Sequence, residues 1–465
     1  MNRFAYHISK YLFNMLFNRN LEEYIIDWTK RPARRPLIIR GARQVGKTSF
    51  VRSMSSFFDI YIELNLELSK DKIFFEYADD VEKLFDSILL DRSIVYNATQ
   101  TCLLFIDEIQ SSPKAITMLR YFYEKLPSIY VIAAGSLLEF SLEDVSSFPV
   151  GRVEQIVMYP MNFREFLKAI NKKSLAERFD GLDFSESTNA ILAREFQNYM
   201  ITGGLPQSIS EYIRENYSFK KIRFVLENVW LNYLDDTLKY GRNDQNKKTL
   251  RYILESSPFT LDRFSFESYS NNQFKARDIG IAFRQLEQAK IMYLIYPTTH
   301  TAPPLLPEFK KRPRLQFLDT GLLIALNKKS AELLLVQDAN DKFRGQIINH
   351  IAIQEIMSIS ESLLTNFVFW VRENNDSNAE VDLLFEWNGK AIPIEVKSGS
   401  SGRLRSLHSF MDRAAHSIAI RLLANEFSIE TVKTAQGKSF KLINLPIHYS
   451  SQIRKVLDKY QKELL

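Results

Sequence analysis

Eight residues constrain this chain more tightly than any others: Gly41-Ala42-Arg43-Gln44-Val45-Gly46-Lys47-Thr48. They follow a short apolar stretch, 36–40, with the pattern of a buried strand, and they lead into a segment of helical character, 50–57. A strand, a Gly-x-x-x-x-Gly-Lys-Thr loop and a helix in that order make a phosphate-binding loop. The loop amides and the helix N-terminus aim hydrogen-bond donors at phosphate oxygens. Gly41 and Gly46 permit close backbone approach. Lys47 places a cation near the β- and γ-phosphates, Thr48 offers a hydroxyl to Mg²⁺, and Ser49 follows in the helix.

A second motif agrees with the first. Thr101-Cys102-Leu103-Leu104-Phe105-Ile106-Asp107-Glu108 is an apolar strand ending in two acids, the Walker B form. Acids at the C-terminal end of a strand lie where ligands bind in open α/β sheets. Asp107 is expected to hold hydrated Mg²⁺ and Glu108 to polarise the attacking water. The next strand-like stretch, 130–134, runs into Gly135-Ser136, where a hydroxyl can meet the γ-phosphate or the water. Arg152 precedes a further strand, 155–158, and is a candidate for stabilising transition-state charge in a neighbouring subunit; a surface salt bridge is the plain alternative. ATP is favoured over GTP because no Asn-Lys-x-Asp segment is present; 171–174 and 327–330 both read Asn-Lys-Lys-Ser.

The chain has 465 residues, enough for two to four domains. Strands alternating with helices over the first third imply right-handed crossovers and a parallel sheet. From 162 the pattern turns helical, starting at a capping box, Asn162 to Glu165. The stretch 241–326 is mixed, 328–341 is polar and linker-like, and strands return at 367–372, 381–387 and 391–396. The pair Asn388-Gly389 between the last two is a hairpin signal. A net charge of +6 leans weakly toward acidic partners such as nucleic acid. A single cysteine, Cys102, excludes a disulfide framework and fits a reducing, cytoplasmic setting. No apolar run approaches the roughly 20 residues of a membrane helix. The N-terminal segment reads as an amphipathic helix packing on the next domain.

These residues resemble the AAA+ superfamily, and more narrowly the prokaryotic ATPases whose AAA domain precedes a C-terminal domain of unknown function. The words that carry the resemblance are the phosphate loop, Phe105-Ile106-Asp107-Glu108-Ile109-Gln110, Ala134-Gly135-Ser136, Gly151-Arg152-Val153, Gly203-Gly204-Leu205-Pro206 and Phe317-Leu318-Asp319-Thr320-Gly321-Leu322-Leu323. The resemblance implies an α/β architecture: an ATPase core with its N-terminal helix over 1–165, a helical lid over 166–240, a winged-helix-like domain over 241–330 and a nuclease-like α/β domain over 331–465. It makes Ser136 the sensor residue and Arg152 an arginine finger, which implies a homo-oligomer. Gly204 and Pro206 look like the Gly-x-Pro lid element beside the nucleotide, with a plain inter-helix turn as the alternative. The segment 277–297 departs from the usual Ser/Thr-rich recognition helix.

In the last third, Glu380-Val381-Asp382 and Glu395-Val396-Lys397 stand on two strands joined through Asn388-Gly389. An Asp followed, one hairpin later, by Glu-x-Lys is similar to the PD-(D/E)XK nuclease pattern. Asp382 and Glu395 are candidates for a second metal site, with Lys397 steering water or stabilising charge. Trp370 and Arg372 precede them as candidate supports. The related upstream Gly-x-x-x-Glu is here Gly345 followed by Asn349, and Glu355 falls about 120° away on a helix. A surface hairpin with paired charges is the plain alternative. The leading expectation is an Mg²⁺-dependent ATP hydrolase acting through nucleic acid or a protein partner; a slow nucleotide switch and an ATP-dependent nuclease are the others.

Overall fold

In a computed structural model, the structure describes residues 17–136, 149–260, 262–327, 341–360, 365–374, 377–397, 404–424 and 426–464. Residues 1–16 of the expected N-terminal helix and 328–340 of the polar stretch expected as a linker lie outside the described residues, and the first described helix is Leu21–Thr29. Two compact units are present, one running to Tyr159 and one from Pro160, with 288–290 grouping with the first.

The first unit is built on five strands: β1 (Leu37–Arg40), β2 (Ile60–Asn65), β3 (Cys102–Asp107), β4 (Tyr130–Gly135) and β5 (Glu154–Val157). Their order is β2-β3-β4-β1-β5, and every pairing is parallel. Parallel strands need crossovers and are covered on both faces, which is why β3 is buried at all six positions. Helices Val81–Asp91 and Pro113–Lys125 supply one covering layer, packing Leu84, Phe85, Ile88, Leu119 and Phe122 with the β2 and β3 side chains. Both are properly started: Asp80 accepts amides of Glu82 and Lys83, and Ser112 accepts that of Ala115 ahead of Pro113. Because all five strands run the same way, their C-terminal ends share one edge, and the segments after β1, β3 and β4 emerge there.

The second unit begins with helices. Phe163–Ala169 opens on a complete capping box between Asn162 and Glu165. Glu186–Thr202, Pro206–Arg214 and Ile222–Tyr240 follow, then Asp244–Ser256 and Ala276–Gln288. Strands β6 (Met292–Thr298), β7 (Arg314–Phe317), β8 (Val368–Asn374) and β9 (Ser377–Val381) form one sheet in the order β7-β6-β8-β9. β10 (Leu383–Trp387), β11 (Lys390–Val396), β12 (Ile418–Leu423), β13 (Ser428–Lys433) and β14 (Ser439–Pro446) form another, ordered β10-β11-β12-β14-β13. The sequence reads 381–387 as one strand, but the chain changes sheets between Val381 and Leu383. Asp382 stands at that bend. Asn388 and Gly389, both with positive φ (47° and 68°), make the expected two-residue turn from β10 to β11. No described helix is long and apolar enough to cross a membrane.

Candidate functional site

The loop after β1 is held by its own geometry. Gly41 (φ 149°) and Gly46 (φ 95°) occupy backbone conformations that side chains disfavour. A Cβ on Gly41 would also run into the carbonyl oxygen of Met158. Gln44 also has positive φ (64°), so left-handed backbone recurs at 44 and 46 just before helix Lys47–Met54. Ala42 and Val45 are fully buried, and Arg19 donates to the Val45 carbonyl at 2.9 Å, which ties the loop to the segment before the first helix.

Lys47 curls back over this loop. Its Nζ donates to the carbonyls of Gly41 at 2.9 Å and Ala42 at 2.8 Å. Burial pushes the amine down to about 8. Thr48 Oγ1 donates to Asp107 Oδ2 at 2.7 Å, so the two oxygen groups expected to meet Mg²⁺ are in contact. Burial raises the Asp107 carboxyl above the usual carboxylate range. Glu108 has left-handed backbone (φ 51°), and its carboxylate accepts the side-chain amide of Gln110. Ser136 follows β4, the strand between β1 and β3, so it emerges between the phosphate loop and the acidic pair. Its hydroxyl accepts from Arg43 Nε at 3.3 Å, and Arg43 also meets Glu67 at 3.4 Å. Lys47, Thr48, Asp107, Glu108 and Ser136 thus gather at one sheet edge. Ser49 lies in the first turn of the helix.

Two contacts here were not assigned from sequence. Gln110 lies two residues after Glu108, yet nothing in its spacing shows that it holds that carboxylate. Gly135 owes its size to the same glutamine, since a Cβ there would overlap Gln110 Oε1. Arg43 occupies one of the unspecified positions of the Gly-x-x-x-x-Gly-Lys-Thr loop, so its link to Ser136 has no sequence signal.

Arg152 is placed elsewhere. It precedes β5, whose Glu154 pairs in register with Leu37, the first residue of β1. It is therefore at the sheet edge opposite the phosphate loop, and its guanidinium pairs with Glu124 at 3.2 Å.

In the second unit, Gly204 and Pro206 lie at the turn between helices Glu186–Thr202 and Pro206–Arg214. Pro206 is the first helical residue, where its missing N–H costs nothing. The Gly204 amide donates to Asp319 Oδ2 at 2.6 Å, and its carbonyl accepts from Met161 at 2.7 Å.

The C-terminal acids line a cavity of about 420 Å³, together with Gly345, Asn349 and Lys397. Arg314 donates to Glu380 and, at 3.3 Å, to Asp382 Oδ1. Asp382 Oδ2 accepts the Val396 amide at 2.9 Å. Lys397 Nζ donates to Glu395 Oε1 at 2.5 Å. Burial, then the Asp382 charge, pushes the Glu395 carboxyl upward. Glu355 faces elsewhere: it is fully buried and accepts from the Phe163 amide at 3.0 Å and Tyr199 hydroxyl at 2.9 Å. Trp370 packs edge-on against Phe410 in the core of this region and does not line the cavity. Among the described residues, no group of three or more His, Cys, Asp or Glu is arranged to hold a metal ion.

Residues 33–167 match the model of an AAA domain. Residues 193–333 and 344–447 match two domains of unknown function, DUF8612 and DUF4143. Among curated proteins there is no match. Similar solved structures include a Walker-type ATPase of Pyrococcus abyssi (14% identical, TM-score 0.43, covering 67% of this chain and 96% of that one). The RuvB Holliday junction branch migration motor of Thermotoga maritima is 12% identical with TM-score 0.29, covering 61% and 93%. A signal transduction ATPase with a tetratricopeptide repeat sensor from Pyrococcus horikoshii is 12% identical with TM-score 0.28, covering 74% and 46%. Over residues 33–167, with its five-stranded parallel sheet and phosphate loop, this chain resembles the AAA class of P-loop ATPases.

Proposed function

We propose that the protein binds and hydrolyses ATP with Mg²⁺ at the loop 41–49, and that this reaction drives or switches the remainder of the chain. The observation that carries the reading is the gathering of Lys47, Thr48 and Asp107 at one sheet edge, with Thr48 Oγ1 2.7 Å from Asp107 Oδ2. The residues fit the cofactor. A hydroxyl and a carboxylate are the oxygen donors that Mg²⁺ prefers, and the αL glycine before a helix N-terminus leaves amides free for phosphate. Thr48 and Asp107 would hold Mg²⁺, which would supply charge neutralisation at the phosphates. Lys47 supplies the adjacent fixed charge, Glu108 orients the lytic water, and Ser136 reads the γ-phosphate. Arg152 serves the nucleotide of another copy, because it leaves the sheet at the opposite edge; a homo-oligomer follows from that role. Gly204 and Pro206 form the lid element of the helices after 166.

The winged-helix-like reading of 241–330 draws support from helix Ala276–Gln288 followed by the antiparallel pair β6–β7. β6 also pairs in parallel with β8, so this module shares its sheet with the C-terminal part. The nuclease-like reading of 331–465 draws support from the placement of Asp382, Glu395 and Lys397 around one cavity. The residues do not fit a metal there, since Arg314 and Lys397 already hold the carboxylates. The likeness is therefore one of fold, serving contact with nucleic acid or a protein partner.

Purified protein should turn over ATP with Mg²⁺, and Lys47→Ala should remove that turnover. Absence of any Lys47-dependent turnover, with and without DNA, overturns the proposal. A slow, partner-controlled switch is the second reading. It is favoured by the engagement of Glu108 with Gln110 and of Arg152 with Glu124. Rapid turnover without a partner would sink it.

A further inference from the structure

Among the described residues, each oxygen of Glu380, Asp382 and Glu395 has a cation or an amide against it, apart from one. Arg314, the first residue of β7, reaches both acids of the Glu380-Val381-Asp382 triplet through Nη2, and its Nη1 donates to the Asp382 carbonyl at 3.2 Å. Arg263 meets the other Glu380 oxygen at 3.4 Å. Val396 and Lys397 take Asp382 Oδ2 and Glu395 Oε1. Of these acids' oxygens, Glu395 Oε2 is buried with no partner among the described residues.

Arg314 is not a loose surface group. Its guanidinium lies over the Phe369 ring, 4.6 Å from the centroid, so stacking and the acids fix it together. Its side chain is only 19% exposed. Acids brought this close and shielded from water need a counter-charge, and an in-chain guanidinium supplies it without any ligand. It also occupies Asp382 Oδ1, the oxygen left open by the Val396 amide, and it adds a fixed positive charge at the point where a metal would approach.

From this geometry we infer that Arg314 is a built-in cation that takes the place of a divalent metal, so the Asp382/Glu395 pair binds none while Arg314 is seated. The inference goes beyond the ATPase reading and stands independently of it. It also accounts for the orphan Glu395 Oε2: the cavity keeps one metal-type ligand oxygen, while its companion on Asp382 belongs to Arg314.

The test is Mn²⁺ binding to the full-length, nucleotide-free chain, followed by electron paramagnetic resonance. Wild type should show no Mn²⁺ site that Asp382→Asn removes. Arg314→Gln should gain one, because the positive charge held against Asp382 Oδ1 is gone. Adding Asp382→Asn to Arg314→Gln should abolish it, which separates it from any ion held by Thr48 and Asp107. An Asp382-dependent Mn²⁺ site in wild type overturns the inference, and so does a folded Arg314→Gln chain that gains none. Should Arg314→Gln fail to fold, Arg314→Met with Glu380→Gln removes one acid along with the cation and is read in the same way. Plasmid nicking by the Mn²⁺-loaded variant tests the nuclease-like reading separately: a new metal site without cleavage leaves the Arg314 inference intact and argues against a latent nuclease.

Discussion

Asp319 Oδ2 accepts the Gly204 amide at 2.6 Å across 115 residues of sequence. Its other oxygen caps helix Thr320–Leu326 by accepting the Leu322 amide at 2.9 Å. Two sequence words, Gly203-Gly204-Leu205-Pro206 and Leu318-Asp319-Thr320-Gly321, are thus one structural joint. Gly321 completes it, since a Cβ there would lie 2.5 Å from the Gly203 nitrogen. Asp319→Ala should cost about 2–3 kcal/mol, the sum of a lost cap and a lost charge-assisted bond to a buried amide. Urea unfolding measures this, and a cost near zero would mean that the joint contributes nothing.

The same region predicts a pH dependence. Burial pushes the Asp319 carboxyl up to about 6 and the Glu355 carboxyl up to about 7. An unfolded carboxylate titrates near ~4, so between pH 4 and 7 the folded chain keeps protons that the unfolded chain has lost. These groups therefore favour folding most at low pH, and that contribution declines as pH rises through 6 and 7. The slope reaches up to about 1.4 kcal/mol per pH unit for each group. Glu355→Gln should flatten the stability profile in this window. An unchanged profile, measured by denaturant midpoints at several pH values, would count against the assignment.

Gly41→Ala probes the phosphate loop without touching a charged group. The added methyl meets the Met158 carbonyl, and the φ of 149° disfavours a side chain. A displaced loop should weaken binding of a non-hydrolysable ATP analogue by tenfold or more, roughly 1.4 kcal/mol, in calorimetry. Equal affinity in both proteins would show that the loop tolerates the shift.

Arg152 can be tested by mixing. If it serves the nucleotide of a neighbouring copy, Arg152→Ala should lower turnover by roughly 10³-fold, the scale of an arginine finger. A mixture of Arg152→Ala and Lys47→Ala chains should then recover part of the activity, because an intact site can form between one intact Lys47 and one intact Arg152. No recovery, together with a monomeric mass in the presence of the ATP analogue, would reduce Arg152 to its ion pair with Glu124.

The phosphate loop, the acidic strand end and the hairpin turn were legible because each is local. A strand, a glycine loop and a helix occupy adjacent residues, and Asn388-Gly389 needs only its own backbone angles. The C-terminal cavity was half legible. The spacing of Asp382, Glu395 and Lys397 announced a cluster of charges, but Arg314, 68 residues before Asp382, belongs to it through pairing that no local pattern records. The sheet change at Asp382 was missed for a related reason. Residues 381–387 have strand character throughout, and only the competition between two sheets for the same backbone decides where one ends.

The sequence alone determines that β1, the glycine loop and Lys47 form a phosphate cradle, because those interactions are made by neighbours along the chain. Folding decides what the cradle and the distal acids are near. The parallel order sets Ser136 between the loop and Asp107 and sends Arg152 to the far edge, while the pairing of the C-terminal sheets leaves Glu380 and Asp382 facing an arginine. Such outcomes depend on which distant groups are brought into a shared low-dielectric space, where charges must pair, and residue order by itself does not specify that.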